Sequence, residues 1–177
     1  CACLVGSEMC IRDRATGAHH RKLGAKGEEI LTGAGVSYCA TCDGAFFKGK
    51  TTAVIGGGDV AIEDAIFLAR MCSKVYLIHR RDELRGAKSL QNRLMSLDNV
   101  EVIWDTVVEE IVGSDKVEAL KLNNKKTGEK SELKVDGVFV AVGIEPDSGQ
   151  YAGQVETDNQ GYIIAGEDGR TSVDGVF

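Results

Sequence analysis

The feature that most restricts the fold is one run: Thr51-Thr52-Ala53-Val54-Ile55-Gly56-Gly57-Gly58-Asp59-Val60-Ala61. A short β-branched strand runs straight into three glycines. Residues 59 to 71 then follow as a helix whose apolar residues Val60, Ile62, Ala65, Ile66, Phe67 and Ala69 cover more than one face, which predicts a helix largely buried against a sheet. Strand, Gly56-x-Gly58-x-x-Ala61 and helix in this order form the βαβ turn that cradles a dinucleotide. Gly56 permits the sharp turn, Gly58 lets backbone approach a pyrophosphate, and Ala61 lets the helix pack close to the strand. The helix N-terminus then faces the phosphates. A glycine-rich βα turn without a ligand is the plainer reading of the same residues.

Strand and helix continue to alternate. Val75 to Ile78 reads as a strand, Ala87 to Met95 as a helix and Val100 to Trp104 as a strand, a spacing that implies parallel pairing with right-handed crossovers. From Thr106 the apolar period drops to two, through Val107, Ile111, Val117, Ala119, Leu120, Leu122 and then Leu133 and Val135. This is an antiparallel β-meander, with Lys125-Lys126-Thr127-Gly128 as a solvated hairpin tip. Gly137 to Gly143 reads as a buried strand that ends before Pro146, and the remainder is turn-rich with one strand at Tyr162 to Ile164. The expected fold is α/β: a Rossmann-like NAD(P)-binding βαβ domain with a β-meander, plus segments of a second domain.

The strand after the fingerprint ends about twenty residues beyond Gly58, where an NAD site carries an acidic residue for the ribose 2′-hydroxyl. This chain has His79-Arg80-Arg81 there, with Arg85 four residues further on. An added ribose phosphate demands cations, and arginine supplies planar donors for it. The expected cofactor is therefore NADPH rather than NADH.

Upstream, Tyr38-Cys39-Ala40-Thr41-Cys42-Asp43-Gly44 puts two thiols and a carboxylate within five residues. Cysteines at this spacing can close a small disulfide ring, and a helix start favours a thiolate. Asp43 is an acid of the kind that passes a proton to a leaving thiolate, given hydrogen-bond reach. A zinc half-site and inert thiols are the alternatives. Zinc would need two further Cys or His ligands at similar spacing, whereas Cys72 stands alone and His19 and His20 are adjacent. No metal site is expected.

Composition narrows the function classes. A net charge of −6 disfavours a nucleic-acid partner. No run of eighteen apolar residues is present to span a membrane as a helix. Six cysteines in an acidic chain of 177 residues fit a reducing cytoplasm better than a disulfide-stapled secreted scaffold. Residues 1–14 follow neither a helical nor a strand period and read as a non-native leader. Residues 15–29 read as a polar linker, and Thr171 to Phe177 as a strand just beginning, so the chain reads as truncated at both ends.

With Cys39-Ala-Thr-Cys42-Asp43-Gly44, Gly56-Gly57-Gly58-Asp59-Val60-Ala61, His79-Arg80-Arg81-Asp82 and Val140-Ala-Val-Gly143 in this order, the chain resembles the low-molecular-weight thioredoxin reductases from Ala15 to Phe177. The resemblance implies an NADPH domain over residues 21–143 that also carries the dithiol. Residues 15–20 and 144–177 would then belong to an FAD domain, with hinges near Thr16-Gly17 and Gly143 to Pro146. It implies electron flow from NADPH through FAD to a Cys39–Cys42 disulfide and on to thioredoxin, in a homodimer. Cys42 would lie next to the flavin, Cys39 would attack the substrate disulfide, and Asp43 would donate the proton. Gly57, Asp59 and Val60 join the nucleotide site by the same resemblance, although Val60 replaces a Ser or Thr that would add a bond to the pyrophosphate. The FAD motifs expected at either end are absent, so this chain is expected to bind NADPH, hold FAD poorly and be inactive alone. Two further readings share the residues: the reductase subunit of a peroxiredoxin-recycling flavoprotein, and a nucleotide-binding module whose dithiol is a redox switch without turnover.

Overall fold

The computed structural model describes residues 15–177. The expected leader at residues 1–14 lies outside the described residues. In chain order the elements are β1 (Ala18–His20), α1 (Glu28–Leu31), β2 (Val36–Ser37), α2 (Ala40–Asp43), β3 (Thr51–Gly56), α3 (Asp59–Ala69), β4 (Lys74–Ile78), α4 (Lys88–Met95), β5 (Val100–Ile103), β6 (Thr106–Gly113), β7 (Val117–Asn124), β8 (Lys130–Lys134), β9 (Gly137–Ala141) and β10 (Ile144–Pro146). Two compact units result: residues 20–143, and residues 15–19 with 144–177.

The larger unit is built on a parallel sheet of order β2-β9-β3-β4-β5. Side chains alternate across it, as strand geometry requires. Val54, Leu77 and Phe139 point into a core made with Ile62, Ala65 and Leu68 of α3. Their neighbours Ala53, Ile55, Val138 and Val140 point the other way, onto Val108, Ile111, Leu120 and Leu122 of the antiparallel sheet β6-β7-β8. With both faces covered, the strands read as continuous apolar runs. In α3 the buried residues are Ala61, Ile62, Ala65, Ile66 and Leu68. Val60 is 63% exposed, so the helix is buried on one face rather than most of its surface.

The chain leaves β5 for the meander and returns as β9 between β3 and β2, so the order reverses at β3. Such a switch point opens a crevice beyond the carboxyl ends of the strands. Because all five strands are parallel, the segments after β2, β3 and β4 all leave the same sheet edge. Those segments carry the dithiol, the three glycines and the arginines.

Three further expectations fail. Residues 15–29 are not a plain linker: they contain β1 and the start of α1, and Glu28 of α1 is 2% exposed. Tyr162 to Ile164 form no strand, since only one isolated bridge, Thr157 to Ile163, reaches the triplet, and without a ladder the apolar run has no strand to join. The residues from Thr171 onward form a turn closed by the Val176 carbonyl accepting from the Thr171 N–H at 3.1 Å, rather than a strand. In the smaller unit β1 pairs with β10, and His19 Nδ1 lies 2.8 Å from Asp147 Oδ1.

Candidate functional site

The glycine turn has the close contacts its sequence calls for. A Cβ built on Gly56 would lie 2.6 Å from Ala61 Cβ and closer still to the Ala141 carbonyl oxygen, so β9 and α3 close on this residue from both sides. Gly56 has φ 157°. Gly58 is different: nothing lies within 4 Å of where its Cβ would be. That open side is the face a pyrophosphate needs. The first bond inside α3 is Ile62 N–H to Gly58 O at 3.2 Å, so the amides of Asp59, Val60 and Ala61 have no partner within the helix.

The arginine segment is fastened to this turn by its backbone. Arg85 N–H donates to Gly57 O at 2.7 Å, and Ala87 N–H donates to Asp59 Oδ1 at 2.7 Å. Gly86 packs against Ile62, and Gln91 Nε2 donates to the carbonyls of Leu84 and Gly86 at 3.2 and 2.7 Å. The Asp59 carboxylate thus ties the segment down. Arg80, Arg81 and Arg85 remain exposed and form no ion pair among the described residues, whereas Asp82 pairs with Lys126 at 2.8 Å.

His79 does not share that exposure. It is 4% exposed, its N–H donates to Ile103 O and its carbonyl accepts from Thr106 N–H, both at 2.9 Å. Its ring lies against Gly57, where a Cβ would come within 2.7 Å of Nε2 and closer still to Cε1 and Nδ1. Burial lowers the imidazole pKa, with Arg85 and Arg81 acting the same way and the Gly56 and Glu83 backbone opposing. His79 therefore supports the glycine turn from beneath, while the three arginines lie at the surface.

The second group sits at the end of β2. Ser37 pairs with Phe139 of β9, and Cys39 two residues later caps α2. Strand spacing puts β2 and β3 roughly 10 Å apart across β9. Cys39 and Cys42 are joined by a disulfide, with Cα atoms 5.3 Å apart. Cys42 N–H donates to Cys39 Sγ at 3.2 Å, so on reduction Cys39 is the sulfur facing the helix-start amide that favours a thiolate. Cys42 is exposed and Cys39 partly buried. Ala40 between them is 1% exposed in the α3-side core, and Gly44 packs on Leu68 and Phe67, so the short helix is anchored to α3. Asp43 Oδ2 accepts from Ser37 Oγ at 2.6 Å.

Sequence reasoning missed the support behind Cys39. Glu28 accepts from Leu23 N–H and Tyr38 OH through Oε1, both at 2.8 Å, and from Gly24 N–H through Oε2 at 2.7 Å. Tyr38 also stacks on His20, with ring centroids 5.6 Å apart. Its phenol is pushed up to about 12, first by burial and then by the Glu28 hydrogen bond. Glycines 27 and 33 flank α1, but nothing in the sequence marks Glu28 as an internal acceptor. The remaining candidate positions lie elsewhere: Gly17 has φ 72° beside the exposed Thr16, and Gly143, φ 118°, accepts from Arg21 N–H at 2.9 Å.

The family model for pyridine nucleotide-disulphide oxidoreductases matches residues 14–177. Among curated relatives, the chain is 47% identical over 163 residues to the thioredoxin reductase of Streptomyces coelicolor, covering 92% of this chain and 51% of that protein. It is 49% identical over 164 residues to that of Listeria innocua, again covering 92% and 51%. The chain therefore spans about half the length of the curated relatives it matches. Among solved structures, Lactococcus lactis thioredoxin reductase in its FR conformation superposes with TM-score 0.86 at 43% identity, covering 91% of this chain and 54% of that one. T. acidophilum thioredoxin reductase superposes with TM-score 0.85 at 36% identity, covering 91% and 53%.

Proposed function

Because the chain belongs to the pyridine nucleotide-disulphide oxidoreductase family, we propose that it forms the NADPH-binding and dithiol part of an NADPH-dependent thioredoxin-disulfide reductase. In this reading the glycine turn and the arginines would hold NADPH, which together with FAD would supply the electron pair that Cys39–Cys42 passes to thioredoxin. The observation that carries it is the Cys39–Cys42 disulfide on the same sheet edge as the glycine turn and the arginines. The open face at Gly58 fits a pyrophosphate, and the exposed Arg80, Arg81 and Arg85 fit a ribose phosphate. Gly56, Gly57 and Ala61 shape the turn, Asp59 and His79 hold it, and Val60 contributes its backbone N–H. Residues 21–143 are read as the NADPH domain and residues 15–20 and 144–177 as parts of the FAD domain, with Thr16, Gly17 and Gly143 at the connections.

In the dithiol step Cys39 attacks the substrate disulfide, Asp43 supplies the proton to the departing thiolate, and Cys42 resolves the mixed disulfide. Among the described residues no helix is long and apolar enough to cross a membrane, and the reading places the intact protein in the cytoplasm as a homodimer. Extending the chain to the length of its relatives, loading it with FAD and supplying NADPH should give reduction of oxidised thioredoxin. In the Cys42→Ser variant the mixed disulfide on Cys39 should accumulate and turnover should stop. Continued turnover in that variant would overturn the assignment.

A further inference from the structure

We propose that Ser37 is the positioning residue for the acid of the dithiol exchange, holding Asp43 by one carboxyl oxygen so that the other carries the proton; the inference rests on the reading of Asp43 as proton donor. Ser37 is the last residue of β2 and is 7% exposed. Its hydroxyl donates to Asp43 Oδ2 at 2.6 Å and accepts from Cys39 N–H at 3.0 Å. A hydroxyl has one proton to give. Cys39 O, at 3.3 Å, is the poorer acceptor for it, so the bond to Asp43 prevails. One side chain thereby sets both the backbone of the attacking cysteine and the orientation of the acid.

Which oxygen carries the proton follows from that bond. Oδ2 is occupied by a donor, and among the described residues Oδ1 accepts no hydrogen bond. A protonated Asp43 keeps the Ser37 bond on its carbonyl oxygen, Oδ2, and carries hydrogen on Oδ1. In the exchange, Cys39 thiolate attacks one sulfur of the substrate disulfide. A bond forms between Cys39 Sγ and that sulfur as the substrate S–S bond breaks, and the departing thiolate takes the proton from Asp43 Oδ1. Cys42 then returns a proton to Asp43 and attacks Cys39 Sγ. The Cys39–Cys42 bond re-forms, and the second substrate thiolate takes from solvent the proton that Cys39 gave up on ionising. The pair loses two electrons and the substrate gains two.

A basic alkyl thiolate needs the proton, whereas an aromatic thiolate of low basicity leaves without it. The test uses the 177-residue chain, reduced with a phosphine and desalted, then mixed with either hydroxyethyl disulfide or dithiobis-nitrobenzoate. Acid quench, alkylation and mass spectrometry of the Cys39–Cys42 peptide exclude the other cysteines from the signal. The readout is the ratio of the alkyl rate to the aromatic rate. Ser37→Ala should lower that ratio about tenfold, part of the roughly 10²–10⁴-fold that a positioned general acid contributes. Asp43→Asn should lower it at least as far, the double variant no further than Asp43→Asn alone, and Ser37→Thr, which keeps the hydroxyl, should restore it. If Asp43→Asn lowers the ratio and Ser37→Ala does not, the assignment of Ser37 fails while Asp43 stands as the donor. Equal slowing with both reagents in Ser37→Ala would show a structural role only and also overturn it. An unchanged ratio in Asp43→Asn would remove the donor reading beneath it.

Discussion

Replacing Gly57 by alanine tests whether His79 is the floor of the glycine turn. Ordinary contact at a Cβ begins near 3.4 Å, and the new methyl would lie 2.7 Å from Nε2 and nearer to two other ring atoms, so the ring must yield by at least 0.7 Å. It has little room. His79 is 4% exposed, and its backbone is bonded on one side to Ile103 and on the other to Thr106. Overpacking of this kind costs about 1–3 kcal/mol. Urea unfolding should therefore show Gly57→Ala destabilised by about 2 kcal/mol, with calorimetry showing weaker NADPH binding as the turn is displaced. In a His79→Ala background the three ring atoms nearest the methyl are gone, and the same substitution should cost less than about 0.5 kcal/mol, a coupling of about 1.5 kcal/mol. Strict additivity of the two substitutions would refute the contact. Buried His79 adds a pH signature. Its folded pKa lies below the ordinary 6.5, so its contribution is present above pH 6.5 and is lost as pH falls through the folded value. The His79→Ala variant should lose that acid-side decline.

The other expectations concern separate sites. Both oxygens of Glu28 accept, so Glu28→Gln must set an NH₂ against a donor and should cost about 2–3 kcal/mol in urea unfolding, with the Tyr38 phenol moving down from about 12 in an absorbance titration; an unchanged midpoint would contradict the buried network. Burial first, and then Glu63, push the Asp64 carboxyl up from 3.8 to about 6. Its neutral form is the one the fold favours, so its contribution is present below pH 3.8 and lost as pH rises through about 6. Asp64→Asn should stabilise the protein by about 2 kcal/mol at pH 7.5 and give no gain near pH 4. Neutralising Arg80, Arg81 and Arg85 together with glutamine should weaken NADPH binding at least about tenfold more than NADH binding; equal losses for the two cofactors would rule out a ribose-phosphate site.

How much was legible in the chain depends on how local each signal is. The β3-glycine-α3 turn needs only neighbouring residues, and it folds where the spacing of Gly56, Gly58 and Ala61 puts it. The meander was equally readable, because alternation of Leu120 and Leu122 with the polar Lys121 and Asn123 survives without knowledge of the partner strand. β2 was not: two residues become a strand only because β9 returns beside them from a hundred residues later. Glu28 reads as a linker residue because its burial depends on three donors, one of them on Tyr38, that fold around it. His79 carried an unread signal. Val75 and Leu77 face α3, and continuing that alternation by two residues puts His79 on the same face, apart from the arginines that follow it. Tyr162 to Ile164 misled in the opposite direction, since an apolar triplet without a ladder has no strand to join.

The most direct test of the account counts thiols. In the flavin-loaded protein extended to the length of its relatives, stoichiometric NADPH added without oxygen should be followed by alkylation and peptide mass mapping. Transfer of one electron pair should open one disulfide, labelling Cys39 and Cys42 and leaving Cys72, which is buried, unlabelled. Oxidation of NADPH with Cys39 and Cys42 still bonded to each other would contradict the account at its centre.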